Sequence, residues 1–284
     1  SDAVQVGQVV TDDELGSMYV WIPRYAYTVD NEKTKMNVTF VKGNTNEGVN
    51  GETFTTDESV DTKTTKLVHP GFNLGGTALT GIWVAKFEAS GTDKNGNAVG
   101  NATSTSNEEQ YHPDETTIAK SLPNKISWRH ITIGECEKRS MDIATTDKDK
   151  FGLNYASSHL IKNSEWGAVA YLGQSKYGLN TENIRINNLN TNNGVEYVYA
   201  KTGYASKMSN DAGATDSIAD VYKWTEERGI VASCTGTIYG IYDMSGGILE
   251  RSAAIVNNGH DYLNIFGKSI MNSLNNGKSS AYVT

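Results

Sequence analysis

The sequence lacks any run approaching the ~20 apolar residues that a membrane-spanning helix requires. It also has no charged and then apolar leader at its start, so we expect any signal peptide or anchor to have been removed from this chain. These absences predict no membrane insertion within the fragment. The 284 residues are enough for one large domain with a substantial core.

Clusters of basic residues are missing as well. The formal net charge is −8, and no stretch of Lys and Arg supplies a positively charged face. Nucleic acid and anionic membrane surfaces both attract proteins through such faces. We therefore predict that neither is a partner.

Cysteine is scarce, with two residues in the whole chain, Cys136 and Cys234. They lie far apart in sequence. A single disulfide would suit an exported domain, and two buried thiols fit the sequence equally well. Both alternatives stay open at this point.

Small polar residues and tyrosine are abundant, with 28 Gly and 15 Tyr besides many Asn, Thr and Ser. This composition is typical of bacterial surface proteins and of binding loops. In such loops Tyr supplies rigid contact area, and Asn or Ser supplies adaptable hydrogen bonds. We therefore expect an extracellular location at the bacterial surface.

Residues 237–250, TIYGIYDMSGGILE, contain the most strongly apolar segment that ends in a turn. Apolar and aromatic residues occupy both faces from 238 to 244, which predicts a strand buried on two sides near the centre of the fold. Gly246 and Gly247 favour a tight turn after it, because glycine adopts backbone angles that other residues avoid.

Other elements follow from the hydrophobic pattern. Residues 18–27 and 81–90 predict strands, with Trp83 in the core, and residues 38–42 predict a hairpin partner for the first. Residues 44–66 predict a long loop. One helix is expected within 123–145, capped by Ser127, and a second over 158–172, capped by Asn163 or Ser164.

The 237–250 segment resembles the GLYDM-x-GN-x-WEW block of the formylglycine-generating-enzyme (sulfatase-modifying factor) branch of the C-type lectin fold. Residues 18–24 (MYVWIPR), 122–128 (LPNKISW) and 158–171 (SHLIKNSEWGAVAY) follow that family's order. The set is most similar to non-catalytic Gram-positive surface and phage-associated members. This resemblance implies an α+β, C-type-lectin-like fold with a mixed twisted sheet, two helices and long irregular loops. It predicts a linker over 1–17 and a single binding domain over 18–284.

The resemblance also implies where ligands bind. In variable members of the group the binding surface lies in the last part of the domain, and an insertion before it often holds calcium through oxygen atoms. The implied calcium ligands are Asn187, Asn188 and Asn190. The implied ligand-facing residues are Arg251, Asn257, Asn258, His260, Asp261 and Tyr262.

The groups that would carry catalysis in related enzymes are missing. A formylglycine-generating enzyme uses two cysteines close together late in the domain, because paired thiolates bind copper. Here only Cys234 is late, and the five histidines show no spacing typical of an iron site. The aromatics of the family's WEW ending are also replaced, by Leu249 and Arg251 around Glu250. We therefore predict no enzyme activity and no required cofactor. Calcium is the ion that the loop with Asn187, Asn188 and Asn190 would accept.

The leading hypothesis is an exported, non-enzymatic bacterial surface module that binds a macromolecule through its loops. The expected ligand is a host protein or glycan, with immunoglobulin as one candidate. The alternatives are a phage or pilus structural or receptor-binding component and a metal-dependent oxidase of the formylglycine-generating type.

Overall fold

The computed structural model describes residues 16–30, 32, 35–93, 95, 98–99, 112–129, 131–149, 152–153, 156–180, 184–187, 201–206, 221–248, 250–254, 261 and 265. Within these residues the protein is an α+β structure with two helices, as the sequence predicts, and its strands form several small antiparallel sheets. The mixed twisted sheet and the C-type-lectin-like fold stay predictions. In the same part of the chain, no helix combines the length and apolar character needed to cross a membrane.

Most of the secondary-structure elements are short strands. In chain order the elements are β1 Tyr19–Pro23, β2 Tyr25–Val29, β3 Met36–Phe40, β4 Leu67–Val68, β5 Asn73–Leu74, β6 Thr77–Ala78, β7 Gly81–Ala85, β8 Ala89–Thr92, β9 Ala98–Val99, β10 Ile118–Ser121, α1 Ile133–Asp142, α2 Asn163–Gly173, β11 Tyr204–Ser206 and β12 Val221–Lys223. The sheets have the strand orders β1-β7, β3-β2-β4, β5-β6, β10-β8-β9 and β11-β12.

The chain forms two compact units, and each is assembled from separate parts of the sequence. Unit 1 contains Ser1–Val20, Val84–Leu160 and Glu182–Arg251. Unit 2 contains Trp21–Trp83, Ile161–Thr181 and Ser252–Thr284. The prediction of one domain beginning at residue 18 stays a prediction.

The β3-β2-β4 sheet and α2 form the core of unit 2. The predicted hairpin is confirmed, since β2 and β3 pair antiparallel from Tyr25 opposite Phe40 to Val29 opposite Met36. Tyr25 is completely buried and donates its hydroxyl hydrogen to the carbonyl of Ala168 in α2, at 2.6 Å. β2 buries Tyr25, Ala26 and Tyr27 in succession, and Ala26 packs in a cluster with Val41, Phe54 and Val68, so both faces of this strand are covered.

The predicted loop over 44–66 is confirmed, because no helix or strand lies between β3 and β4. Buried Arg24 holds the start of this loop. Its guanidinium donates to the carbonyls of Thr45 (3.0 Å) and Phe72 (2.9 Å) and to the side-chain oxygen of Asn46 (2.9 Å). A buried guanidinium requires acceptors for its N–H groups, and the loop supplies them.

Both helices occur in the predicted regions, but all of the predicted caps are wrong. Thr132 caps α1, accepting from the backbone N–H of Glu135, whose carboxylate accepts from Thr132 N in return. This reciprocal pair is a capping box. At α2 the Glu165 carboxylate accepts from Lys162 N at 2.8 Å, so the N-cap is Lys162, one residue before the predicted pair, and the helix begins at Asn163.

The prediction of a strand at 238–244 is wrong. No strand is assigned over 237–248, and Tyr239 is 80% exposed, although Ile241 and Tyr242 are buried. Hydroxyl groups compete for the backbone here: Ser233 Oγ accepts from Thr237 N, and Thr237 Oγ1 accepts from Tyr239 N. Such local bonds replace the ladder of a sheet. The predicted Gly-Gly turn is confirmed, with φ of 86° at Gly246 and 73° at Gly247.

A neutral histidine lies at the centre of unit 2. The Nδ1 atom of His69 accepts from the backbone N–H of Gly71 at 3.1 Å. Burial lowers the pKa of His69 to about 3. The ring is surrounded by the side chains of Tyr25, Tyr27, Phe72 and Tyr171. An imidazolium would have neither water nor a carboxylate partner in this aromatic surrounding, so the fold favours the neutral ring.

We expect His69 to make unit 2 sensitive to acid. Its folded pKa of about 3 lies below its ordinary value of 6.5, so unfolding takes up a proton as the pH falls between these values. Through His69 alone, the free energy of unfolding should be about 3 kcal/mol lower at about pH 4 than at about pH 7. Urea denaturation at both pH values measures this difference.

His69→Asn is the informative variant, because an amide oxygen can still accept from Gly71 N but does not titrate in this range. It should lose that part of the acid destabilisation. His112→Asn is the control, since the His112 side chain is 68% exposed. If His69→Asn and the parent protein lost equal stability between the two pH values, the buried neutral ring would not be the cause.

Candidate functional site

A buried carboxylate, Asp243, gathers three distant segments of unit 1. Its Oδ1 accepts from Asn187 Nδ2 at 2.9 Å and from Gly203 N at 2.9 Å. Its Oδ2 accepts from Gly203 N at 3.1 Å and from Glu88 N at 3.3 Å. Asp243 itself has φ of 63°, in the left-handed region that aspartate tolerates better than most residues.

A second carboxyl group, that of Glu88, lies beside this cluster. Its Oε1 accepts from Ile248 N at 3.0 Å, whereas its buried Oε2 makes no hydrogen bond. The hydroxyl of Ser127 is close enough to lower the pKa of Glu88, although Ser127 Oγ also makes no hydrogen bond of good geometry. A Cβ atom at Gly247 would lie 2.6 Å from Glu88 Oε1, and the φ of 73° at this position favours glycine.

The electrostatics of the two acids differ. Burial, and then the negative charge of Asp243, raise the pKa of Glu88 well above its ordinary value. Burial also raises the pKa of Asp243, to about 6, against the opposing effect of its N–H donors. Because these donors stabilise a negative charge at Asp243, we infer that Asp243 ionises before Glu88 as the pH rises.

The nearest cation in sequence, Lys86, does not neutralise the pair. Its Nζ donates to the carbonyl of Ile238 at 2.5 Å and lies 4.9 Å from the centre of the Trp224 ring. Burial lowers its pKa. Lys86 therefore binds the 237–250 segment near its start, at Ile238, while Asp243 and Glu88 hold the part around the turn.

A second feature that suggests function is a pair of exposed tryptophans of unit 2, which lie on strands β1 and β7. The ring centres of Trp21 and Trp83 are 5.3 Å apart, with 56° between their planes. Trp21 is 39% exposed and Trp83 is 66% exposed. The prediction of Trp83 in the core is therefore wrong: alternation along the strands buries Ile22 and directs the tryptophans outward.

Glycine permits this arrangement, because a side chain at Gly81 would collide with the Trp21 ring. The sequence does contain a signal for the pair. In VWI and IWV the tryptophan lies between two aliphatic residues, so the alternation of a strand places it on the face opposite to theirs.

Two of the six predicted ligand-facing residues lie among the described residues. Arg251 is exposed in unit 1, and Asp261 is exposed in unit 2. Asn257, Asn258, His260 and Tyr262 lie outside the described residues. The ligand role of the set stays a prediction.

Of the predicted calcium ligands, Asn187 is buried in unit 1, and Asn188 and Asn190 lie outside the described residues. The Asn187 amide nitrogen donates to the carbonyl of Lys201 (2.7 Å) and to Asp243. The described part of the chain holds no group of three or more His, Cys, Asp or Glu side chains arranged for a metal ion. Calcium binding stays a prediction.

The two cysteines are free thiols rather than a disulfide. Cys234 is buried and its Sγ accepts from Ile241 N at 3.3 Å, while burial raises its pKa to about 11. Cys136 is partly exposed, and burial raises its pKa as well. Both are therefore protonated near neutral pH, which favours a packing role over reactivity.

Comparison with known proteins adds no relative. No protein-family model matches the sequence, and no curated protein matches it either. The resemblance to the formylglycine-generating-enzyme branch of the C-type lectin fold thus stays a prediction based on the four sequence blocks.

We expect Asp243→Asn to destabilise unit 1. The new NH2 group would face Gly203 N or Asn187 Nδ2, so buried donors would lose their acceptor at a cost of about 2 to 4 kcal/mol. Chemical denaturation monitored by tryptophan fluorescence measures the change. Asp57→Asn is the control, since Asp57 accepts from Ser59 on an exposed loop and should leave stability unchanged within error. A variant at position 243 as stable as the parent would contradict this role.

Proposed function

We propose that the chain is an exported, non-catalytic bacterial surface module of C-type-lectin-like architecture that binds a macromolecular ligand. The proposed ligand class is a host glycoprotein, with immunoglobulin as the first candidate. The observation that carries the proposal is the exposed pair of Trp21 and Trp83 on the β1-β7 sheet.

Exposed tryptophans at adjacent positions suit binding rather than folding. Leaving so much apolar ring in water is unfavourable in the free protein, and covering it with a partner recovers that free energy. A Trp side chain has two rotatable bonds, so ordering it costs little conformational entropy. The ring contact between Trp21 and Trp83 further limits their motion before a ligand arrives.

The chemistry of an indole ring fits a glycoprotein. Its faces pack against apolar groups and attract cations, and its N–H donates to a polar group of the ligand. Tryptophan is accordingly enriched among the residues that dominate binding energies at protein interfaces. Arg251 and Asp261, both exposed, stay candidates for further polar contacts.

Assembly into a phage or pilus structure is the second candidate, and the same observation supports it. An exposed aromatic pair would also suit an interface between copies of the chain. The two functions differ in their partner, so oligomeric state in solution distinguishes them. A glycoprotein receptor module binds its ligand as an isolated chain, whereas an assembly component forms a stable oligomer.

We expect Trp83→Ala to weaken ligand binding about 30-fold, which corresponds to ~2 kcal/mol for a central aromatic contact. The measurement is surface plasmon resonance against immobilised immunoglobulin and other purified secreted glycoproteins, each intact and deglycosylated. Circular dichroism establishes that the variant is folded. Tyr177→Ala is the matched control, because Tyr177 is also an exposed aromatic of unit 2 and should leave binding unchanged.

Two results would contradict the proposal: binding by Trp83→Ala that equals that of the parent protein, or no binding to any glycoprotein in either form. A stable oligomer in light scattering that Trp83→Ala dissociates would instead support the assembly function.

A further inference from the structure

The turn at residues 246–248 is held from two sides within unit 1. On one side Asn187 N donates to Ser245 O at 2.8 Å, and Gly247 N donates to Asn187 O. On the other side the Glu88 carboxyl accepts from Ile248 N and packs against Gly247. One of these two sides therefore depends on the state of one carboxyl group.

That carboxyl group lies in surroundings that accommodate one negative charge rather than two. Asp243 already uses both oxygens to accept from Gly203, Asn187 and Glu88 backbone or amide groups. Glu88 has a single N–H donor, from Ile248, and its other oxygen is buried without a partner. An ionised Glu88 would thus bring a second charge into the site with one hydrogen bond to stabilise it.

The charged groups that act on Glu88 all disfavour its ionisation. Asp243 faces it from the 241–248 segment, and Glu250 adds negative charge from the residues after the turn. The ammonium group of Lys86, two residues before Glu88, is bound to Ile238 O. Burial is the largest cause of the raised pKa, and the Ser127 hydroxyl and the Ile248 N–H oppose it.

We propose that the 246–248 turn is a proton-dependent clasp: it is closed while Glu88 carries a proton, and it opens when Glu88 ionises. The proton neutralises Oε2 and leaves Oε1 free to accept from Ile248 N. On ionisation the Glu88 carboxylate moves toward water, Ile248 N loses its acceptor, and Gly247 loses its packing partner. The clasp responds to pH independently of any ligand.

The direction of the pH effect follows from linkage. The folded pKa of Glu88 lies above its ordinary value of 4.5, so between these two values the folded chain keeps a proton that the unfolded chain has lost. The free energy of unfolding contributed by this group therefore falls as the pH rises above about 4.5 and becomes constant above the folded pKa.

Amide hydrogen exchange at Ile248 tests the clasp. From about pH 5 to about pH 9, the exchange of this amide should accelerate about tenfold or more beyond its base-catalysed increase. The amide of Tyr242, which donates to Lys86 O at 2.8 Å, supplies the reference within the same unit. Protection of Ile248 that changes with pH in parallel with Tyr242 would overturn the proposal.

Two variants make the test specific. Glu88→Gln has an uncharged amide whose oxygen still accepts from Ile248 N, and it should abolish the additional pH dependence. Ser127→Ala removes the hydroxyl that lowers the pKa of Glu88, and it should move the opening to higher pH. Glu226→Gln is the control, because Glu226 is an exposed acid that accepts from the backbone of Lys223; it should behave as the parent.

Each outcome decides the question. Loss of the pH dependence in Glu88→Gln, or its shift to higher pH in Ser127→Ala, supports the clasp. Retention of the parent's profile in Glu88→Gln would overturn it. If Glu88→Gln failed to fold, an unshifted or downward-shifted profile in Ser127→Ala would overturn it.

Discussion

Unit 1 depends on the buried carboxyl group of Asp243 as a hydrogen-bond acceptor. A charge out of contact with water is tolerated only when hydrogen-bond donors replace the solvent, and here the donors come from Glu88, Asn187 and Gly203. These residues are separated by up to 155 positions from Asp243 in the chain. The site therefore forms only when several segments are in place together. It constrains the fold of unit 1 as a whole and not one loop alone.

The two units bury titratable groups in neutral form by different means. In unit 2 aromatic rings surround His69 and exclude its protonated state. In unit 1 the charge of Asp243 adds to burial and disfavours the ionised state of Glu88. Acid thus acts against unit 2, and alkali acts against the turn of unit 1. The exposed tryptophans of the β1-β7 sheet carry no charge, so the proposed ligand binding through their rings would not depend directly on either group.

Sequence patterns predicted elements whose residues are close together in the chain. The β2-β3 hairpin and both helix regions followed from alternation and amphipathic spacing. The caps were wrong because Thr132 rather than Ser127 caps α1, and because at α2 the Glu165 carboxylate binds the backbone N–H of Lys162, so no Ser or Asn side chain is needed. Ser127, for example, lies beside Glu88 rather than at a helix start.

The candidate sites were missed for a related reason. In the sequence nothing distinguishes Glu88 and Asp243 from other acids, because only the fold brings them together. Residues 238–244 have the pattern of a strand, but neighbouring hydroxyl groups bind the backbone there. Trp83 was assigned to the core by its size, although the alternation around it indicates the opposite face. The size of an apolar residue does not by itself predict its burial. The face of the strand on which its neighbours are buried is also needed.

Carbon-13 NMR of the Glu88 and Asp243 carboxyl groups as a function of pH tests the central claim most directly, because it observes each group by itself. We predict that Glu88 titrates well above its ordinary value of 4.5 and that Asp243 ionises before it as the pH rises. Glu88 titrating near 4.5, or ionising before Asp243, would contradict the account.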